Sequence, residues 1–142
     1  MENRKNFTGK YEFFAALAFF ISALIFYMGI ELGMALMTFT FLVFSAVTFI
    51  TFMADIKSPD KNIGLSLLSF LAKNDTGVSV IFVASRWQGN MIIVISGFIL
   101  ALLFVLLAQK DKNYSADIKK VLAYVVFSAV INYLFINSIQ IF

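Results

Sequence analysis

The chain has 142 residues, 61% of them hydrophobic, with charged residues held to 13% and a mean hydropathy of +0.92. A water-soluble domain is about 45–50% apolar, so this composition excludes a protein whose only solvent is water and points to the bilayer. The net charge of +3, eleven Lys and Arg against eight Asp and Glu, is ordinary for loops flanking membrane spans and does not ask for a nucleic-acid partner.

Histidine and cysteine are both absent. With them go disulfides, thiol chemistry, the commonest metal ligands and the usual carrier of protons near neutral pH. No cofactor and no metal is expected. The expected fold class is an all-α integral membrane protein in one domain, because a helix satisfies every backbone group internally.

The basic start MENRKNFTGK is followed by an apolar run, Phe13–Ile30. That run is too long for the core of a secretory signal, and no clean A-x-A site follows it, so it reads as a retained first span. Only Glu31 separates it from the second run, Leu32–Ala54, within MGIELGM. A tight turn is the simpler reading: Gly29 and Gly33 relieve steric limits and Glu31 marks the water boundary. The same spacing is a small-xxx-small pattern, which would bring helices close beside a carboxylate. Within the second span Thr38, Ser45, Thr48 and Thr51 place hydroxyls on a drifting face. Such groups can bond their own helix carbonyls, which makes them a weak contact or lining signal.

The segment 55–90 is the ambiguous part. Taken as one helix, Asn62–Ser85 holds eleven Leu, Ile, Val or Phe residues, worth roughly −3 to −7 kcal/mol on the insertion scale, against about +5 to +7 kcal/mol for Lys73 and Asp75. The sum does not favour a crossing. Ser58, Pro59 and Asp60 form a helix-start signal. Asn62, Ser66, Ser69 and Lys73 then follow at steps of four, three and four, one polar face of an amphipathic helix suited to the headgroup region. Asn74-Asp75-Thr76-Gly77 is turn chemistry that should stop it. The β-branched stretch Val78–Ser85 is expected as a short extended segment or a half-helix. Arg86 and Trp87 then anchor the next span at the interface.

The third run is Met91–Ala108 and the fourth is Val121–Phe142, separated by the charged loop QKDKNYSADIKK. The fourth carries the clearest polar pattern. Tyr124, Ser128 and Asn132 lie at i, i+4 and i+8, and Asn137, Ser138 and Gln140 continue toward the chain end. The plain reading is helix–helix glue; the sharper one is the wall of a water-filled path.

The expectation is thus a four-span transmembrane helical bundle, with spans at about 13–30, 32–54, 91–108 and 121–142, and with an interfacial amphipathic helix and a short extended segment between spans 2 and 3. Both termini would be cytoplasmic. Lys and Arg then divide seven inside to four outside. A fifth crossing through the middle segment would divide them nine to one, so the positive-inside rule and the insertion sum disagree.

No P-loop, nucleophile elbow or metal cluster appears. Asp55 and Asp60 share their loop with Lys57 and Lys61, Asp111 and Asp117 lie among lysines, and no catalytic residue is assigned. The expected function is a non-catalytic small membrane protein of the bacterial inner membrane, an oligomeric anchor, sensor or inhibitory subunit of a defence, immunity or exclusion type. Its expected partners are the lipid bilayer, copies of itself, or a protein bound at 55–90, with Lys73, Asp75, Arg86 and Trp87 as interface candidates. The alternatives are a homo-oligomeric pore lined by the fourth helix, with Tyr124, Ser128, Asn132 and Asn137, or by the Lys73–Asp75 turn, with Thr38, Ser45 and Glu31 as further contact or lining candidates, and a small transporter.

Overall fold

The computed structural model describes the backbone of residues 2–141 and the side chains of residues 10–137. The side chains of Arg4, Lys5, Ser138 and Gln140, and Phe142 at the end of the expected last span, lie outside the described residues.

Among the described residues the chain is all-helical. The helices are α1 (Glu2–Tyr27), α2 (Leu32–Lys57), α3 (Ile63–Ala84), α4 (Asn90–Ala108) and α5 (Ser115–Ile141), with a single 3-10 turn at Lys112–Tyr114 before α5. All five are long and apolar enough to cross a membrane. Short connections make successive helices antiparallel neighbours. One end of the bundle therefore gathers the 58–62 and 109–114 connections, and the other gathers 28–31 and 85–89.

The middle segment corrects the sequence reading. No extended segment is found at 78–85, and no turn at 74–77. Residues 63–84 form one continuous helix. This α3 does not lie beside the bundle as an interfacial helix; it contacts all four other helices. Half of it is buried, against 17% of α2, so it is the central element.

Three of the four residues of the expected turn have tertiary partners, and the fourth bonds its own helix. Asn74 Nδ2 donates to Thr48 Oγ1 of α2 at 3.0 Å and to the Phe70 carbonyl at 2.9 Å. Asp75 Oδ2 accepts from Ser96 Oγ of α4 at 2.7 Å. Thr76 Oγ1 donates to the Lys73 carbonyl at 2.7 Å, within its own helix. Gly77 leaves room for the Phe41 ring of α2, which would stand 2.7 Å from an added Cβ.

The start of α3 also differs. Its N-cap is Asn62, whose side chain accepts from the Gly64 and Leu65 amides at 2.8 and 3.4 Å. Ser58 instead closes α2 in an extended conformation, as the residue before a proline prefers.

Helix α3 ends in a Schellman arrangement. The Trp87 amide donates to the Phe82 carbonyl at 3.1 Å and the Arg86 amide to the Val83 carbonyl at 3.2 Å. Arg86 occupies the left-handed position, φ 58°, where glycine is usual. Trp87 packs on Phe82 with ring centroids 4.6 Å apart, the apolar contact that accompanies this motif.

In the first connection Gly29 takes φ 88° to make the turn, and Glu31 is exposed. Gly33 does something else: an added Cβ would lie 2.5 Å from the Phe26 Cα, so this glycine lets α2 touch the backbone of α1.

Candidate functional site

The polar stripe of α3 faces inward. Ser66, Ser69, Lys73, Thr76 and Ser79 are all buried, at successive steps of three and four that keep them on one helix face. Partners for Ser66, Lys73 and Ser79 come from the 3-10 turn, α1 and α5, and they form three tiers along the bundle axis.

The first tier ties the two connections at one end. Tyr114 Oη donates to the Asn62 carbonyl at 2.8 Å. That spends its only proton, so Ser66 Oγ, 2.8 Å away, is the donor to Tyr114. Lys61 Nζ donates to the Asn113 carbonyl at 2.7 Å and sits 4.4 Å from the centre of the Tyr114 ring. Asn113 Nδ2 returns a bond to the Asp60 carbonyl at 3.0 Å.

The second tier is ionic. Lys73 Nζ lies 2.8 Å from Glu12 Oε1 and 3.6 Å from Asp117 Oδ1. Lys120 Nζ lies 3.9 Å from Glu12 Oε2, and Tyr124 Oη donates to Glu12 Oε1 across 3.5 Å. Glu12 is wholly buried and Lys73 3% exposed, so this is an interior ion network joining α1, α3 and α5. Side chains on a helix lean toward its N-terminus. The Lys73 ammonium therefore reaches from mid-helix toward the starts of α3 and α5, where Asp117 and Lys120 stand. Two cations face two anions, which is what a low-dielectric interior requires of buried charge.

The third tier is neutral. Asn132 Nδ2 donates to Ser79 Oγ at 3.2 Å. Thr76, Ser79, Ser128 and Asn132 line a small cavity closed on its other side by Val94, Gly97, Phe98 and Val125. Beyond it toward the 28–31 end, Phe26, Tyr27 and Phe135 pack ring on ring, with centroids 5.5–5.9 Å apart.

The sequence-derived candidates thus separate. Tyr124, Ser128 and Asn132 share one inward face of α5 and are brought together with Lys73. Asn137 is half-buried further along α5. Thr38 is exposed and bonds the Met34 carbonyl of its own helix at 3.0 Å; the Ser45 carbonyl accepts from Thr48 at 2.8 Å, also within α2. Glu31, Arg86 and Trp87 lie at the opposite end from the ionic tier, exposed. Asp75 faces the α3–α4 seam.

Sequence reasoning missed Glu12, Thr76, Ser79 and Lys120, and assigned Asp117 to a solvated loop. One signal was available. The Ser66–Ser69–Lys73 spacing continues through Thr76 and Ser79, across the four residues read as a turn. Glu12 had none, since an acid at the edge of an apolar run reads equally well as a water boundary. Comparison with protein-family models, with curated proteins and with solved structures finds no match to this chain.

Proposed function

We propose that this chain is a five-span, non-catalytic protein of the bacterial cytoplasmic membrane, with the start of α1 on the cytoplasmic side, acting as an oligomeric anchor, sensor or inhibitory subunit of a membrane complex. The observation that carries this reading is the inside-out arrangement of the helices. Charged and hydrogen-bonding side chains turn inward onto α3, while Ile92, Leu102, Leu107, Val126 and Tyr133 are among the large side chains left exposed around the bundle. Such a surface suits lipid or the helices of partners.

Two further points favour five crossings. Helix α3, at 22 residues, is about 33 Å long, enough for the hydrocarbon core of about 30 Å. Five crossings also leave Arg4, Lys5, Lys10, Lys57, Lys61, Lys110, Lys112, Lys119 and Lys120 on the cytoplasmic side and Arg86 alone outside. The insertion penalty that spoke against this count treats Lys73 as a lone charge in lipid; its carboxylate partners offset part of that penalty.

The way the interior is used supports this reading over a pore. Tyr124 and Asn132, which would line a pore, instead turn inward within one chain, where Tyr124 donates to Glu12 and Asn132 to Ser79. The test is a reconstituted bilayer together with cross-linking in native membranes. The reading expects no conductance at either polarity, and a discrete adduct, to a second copy or to one partner, from a cross-linker placed at Leu102→Cys on α4. A current that disappears in Asn132→Leu would replace this reading with the pore.

A further inference from the structure

The cavity of the third tier has a volume of about 10 Å³, room for a single water-sized particle. What it offers that particle is decided by where the hydroxyl protons go. Thr76 Oγ1 donates to the Lys73 carbonyl at 2.7 Å, Ser79 Oγ to the Thr76 carbonyl at 2.7 Å, and Ser128 Oγ to the Val125 carbonyl at 2.9 Å. A hydroxyl has one proton, so all three oxygens keep only lone pairs.

Asn132 completes the set. Since the Ser79 proton is committed, the group facing Ser79 Oγ must be the amide nitrogen, which fixes the orientation of the side chain. Its Oδ1 then points away from Ser79, is buried, and accepts no hydrogen bond among the described residues. An unpaired buried carbonyl of this kind costs about 1–3 kcal/mol. The residues lining the cavity thus carry four acceptor oxygens from two helices and no hydroxyl proton to spare, the one donor left among these groups being the second Asn132 amide proton.

The nearest uncompensated charge is negative. Gly97 forms part of the α4 wall, and Asp75 Oδ2 lies 3.4 Å from where its Cβ would be. Asp75 takes one hydrogen bond, from Ser96, and no cation lies within 4.0 Å of it among the described residues. The Lys73 ammonium is turned away, toward Glu12 and Asp117. Oxygen ligands that outnumber donors, beside a carboxylate, are the surroundings that a hard cation takes.

We propose that Thr76, Ser79, Ser128 and Asn132 form a binding site for one dehydrated monovalent cation of about the size of sodium, with Asp75 supplying attraction from behind Gly97. A single carboxylate outside the ligand shell suits one positive charge rather than two. The site goes beyond the anchoring or sensing role proposed above, and its test does not depend on sidedness or on a partner.

The experiment measures radioactive sodium binding to the purified full-length protein in detergent, by scintillation proximity, with choline chloride holding ionic strength constant. Saturable binding of about one ion per chain is expected, with a higher melting temperature in sodium chloride than in choline chloride. Ser128→Ala and Asn132→Leu each lower the affinity about tenfold or more, and Asp75→Asn lowers it several-fold. Ser128→Ala removes an oxygen whose only bond is to its own helix, so it carries the test if Asn132→Leu does not fold. Absence of saturable binding to the unaltered protein, with equal melting temperatures in the two salts, would show a cavity that holds water only and would overturn the proposal.

Discussion

Lys73 shows how far a residue's meaning depends on its neighbours. In isolation it opposes burial. In the fold it is held by Glu12 and Asp117, and removing it would leave two buried carboxylates with only the more distant Lys120, 3.9 Å from Glu12, as counter-charge. Lys73→Met is therefore expected to destabilise the bundle by about 3–5 kcal/mol, read as a fall in the thermal midpoint of detergent-solubilised protein. The double change Glu12→Gln with Lys73→Met removes one charge of each sign and is expected to recover much of that loss. If the single change proves neutral, the network contributes nothing to stability.

At the scale of the element, the two ends and the contacts of α3 carry separate predictions. Arg86 holds a left-handed conformation that costs a non-glycine residue roughly 1 kcal/mol. Arg86→Gly should raise stability by up to about that amount, since it relieves the strain and leaves the Schellman bonds intact. A lower midpoint would mean that the guanidinium itself contributes a bond.

The helix contacts made by glycine should differ in kind. At Gly33 an added methyl meets the Phe26 backbone at 2.5 Å, which cannot yield without moving α1 against α2. Gly33→Ala should cost about 1–3 kcal/mol. At Gly77 the obstacle is the edge of the Phe41 ring at 2.7 Å, which can rotate aside, and alanine gains about 1 kcal/mol of helix propensity. Gly77→Ala should therefore fall within about 1 kcal/mol of the parent protein. Thermal unfolding of the two variants side by side checks the ranking.

For the whole molecule the decisive quantity is the side on which each connection lies. The chain has no cysteine, so single reporters are clean. Pro59→Cys and Gln88→Cys, in connections at opposite ends of α3, should label from opposite faces of the membrane with an impermeant maleimide. Labelling of both from one face would return the molecule to four crossings and reverse the sidedness of everything after residue 88. The same opposition of ends explains the charge distribution. Seven of the eleven basic residues lie outside α1's start and Arg86's connection, and all but Lys73 of those sit at the end that the Lys61, Asn113 and Tyr114 contacts draw together.

The sequence by itself determined the class of element and most of the boundaries. The long apolar runs at 32–54 and 91–108 fall within α2 and α4, that at 13–30 lies in α1 as far as Tyr27, and that at 121–142 in α5 as far as Ile141, because hydropathy over a long window depends little on neighbours. It also revealed the α5 stripe and the first half of the α3 stripe, since helical spacing is a local property. Only the tertiary structure decided which way those stripes face. Asn62, Ser66, Ser69 and Lys73 form one polar face whether that face meets water or protein, and periodicity is the same in either case. The choice came from residues far away in the chain: Glu12, Asp117, Thr48 and Ser96 supply the partners that let a lysine, an asparagine and an aspartate remain in the middle of an unbroken helix.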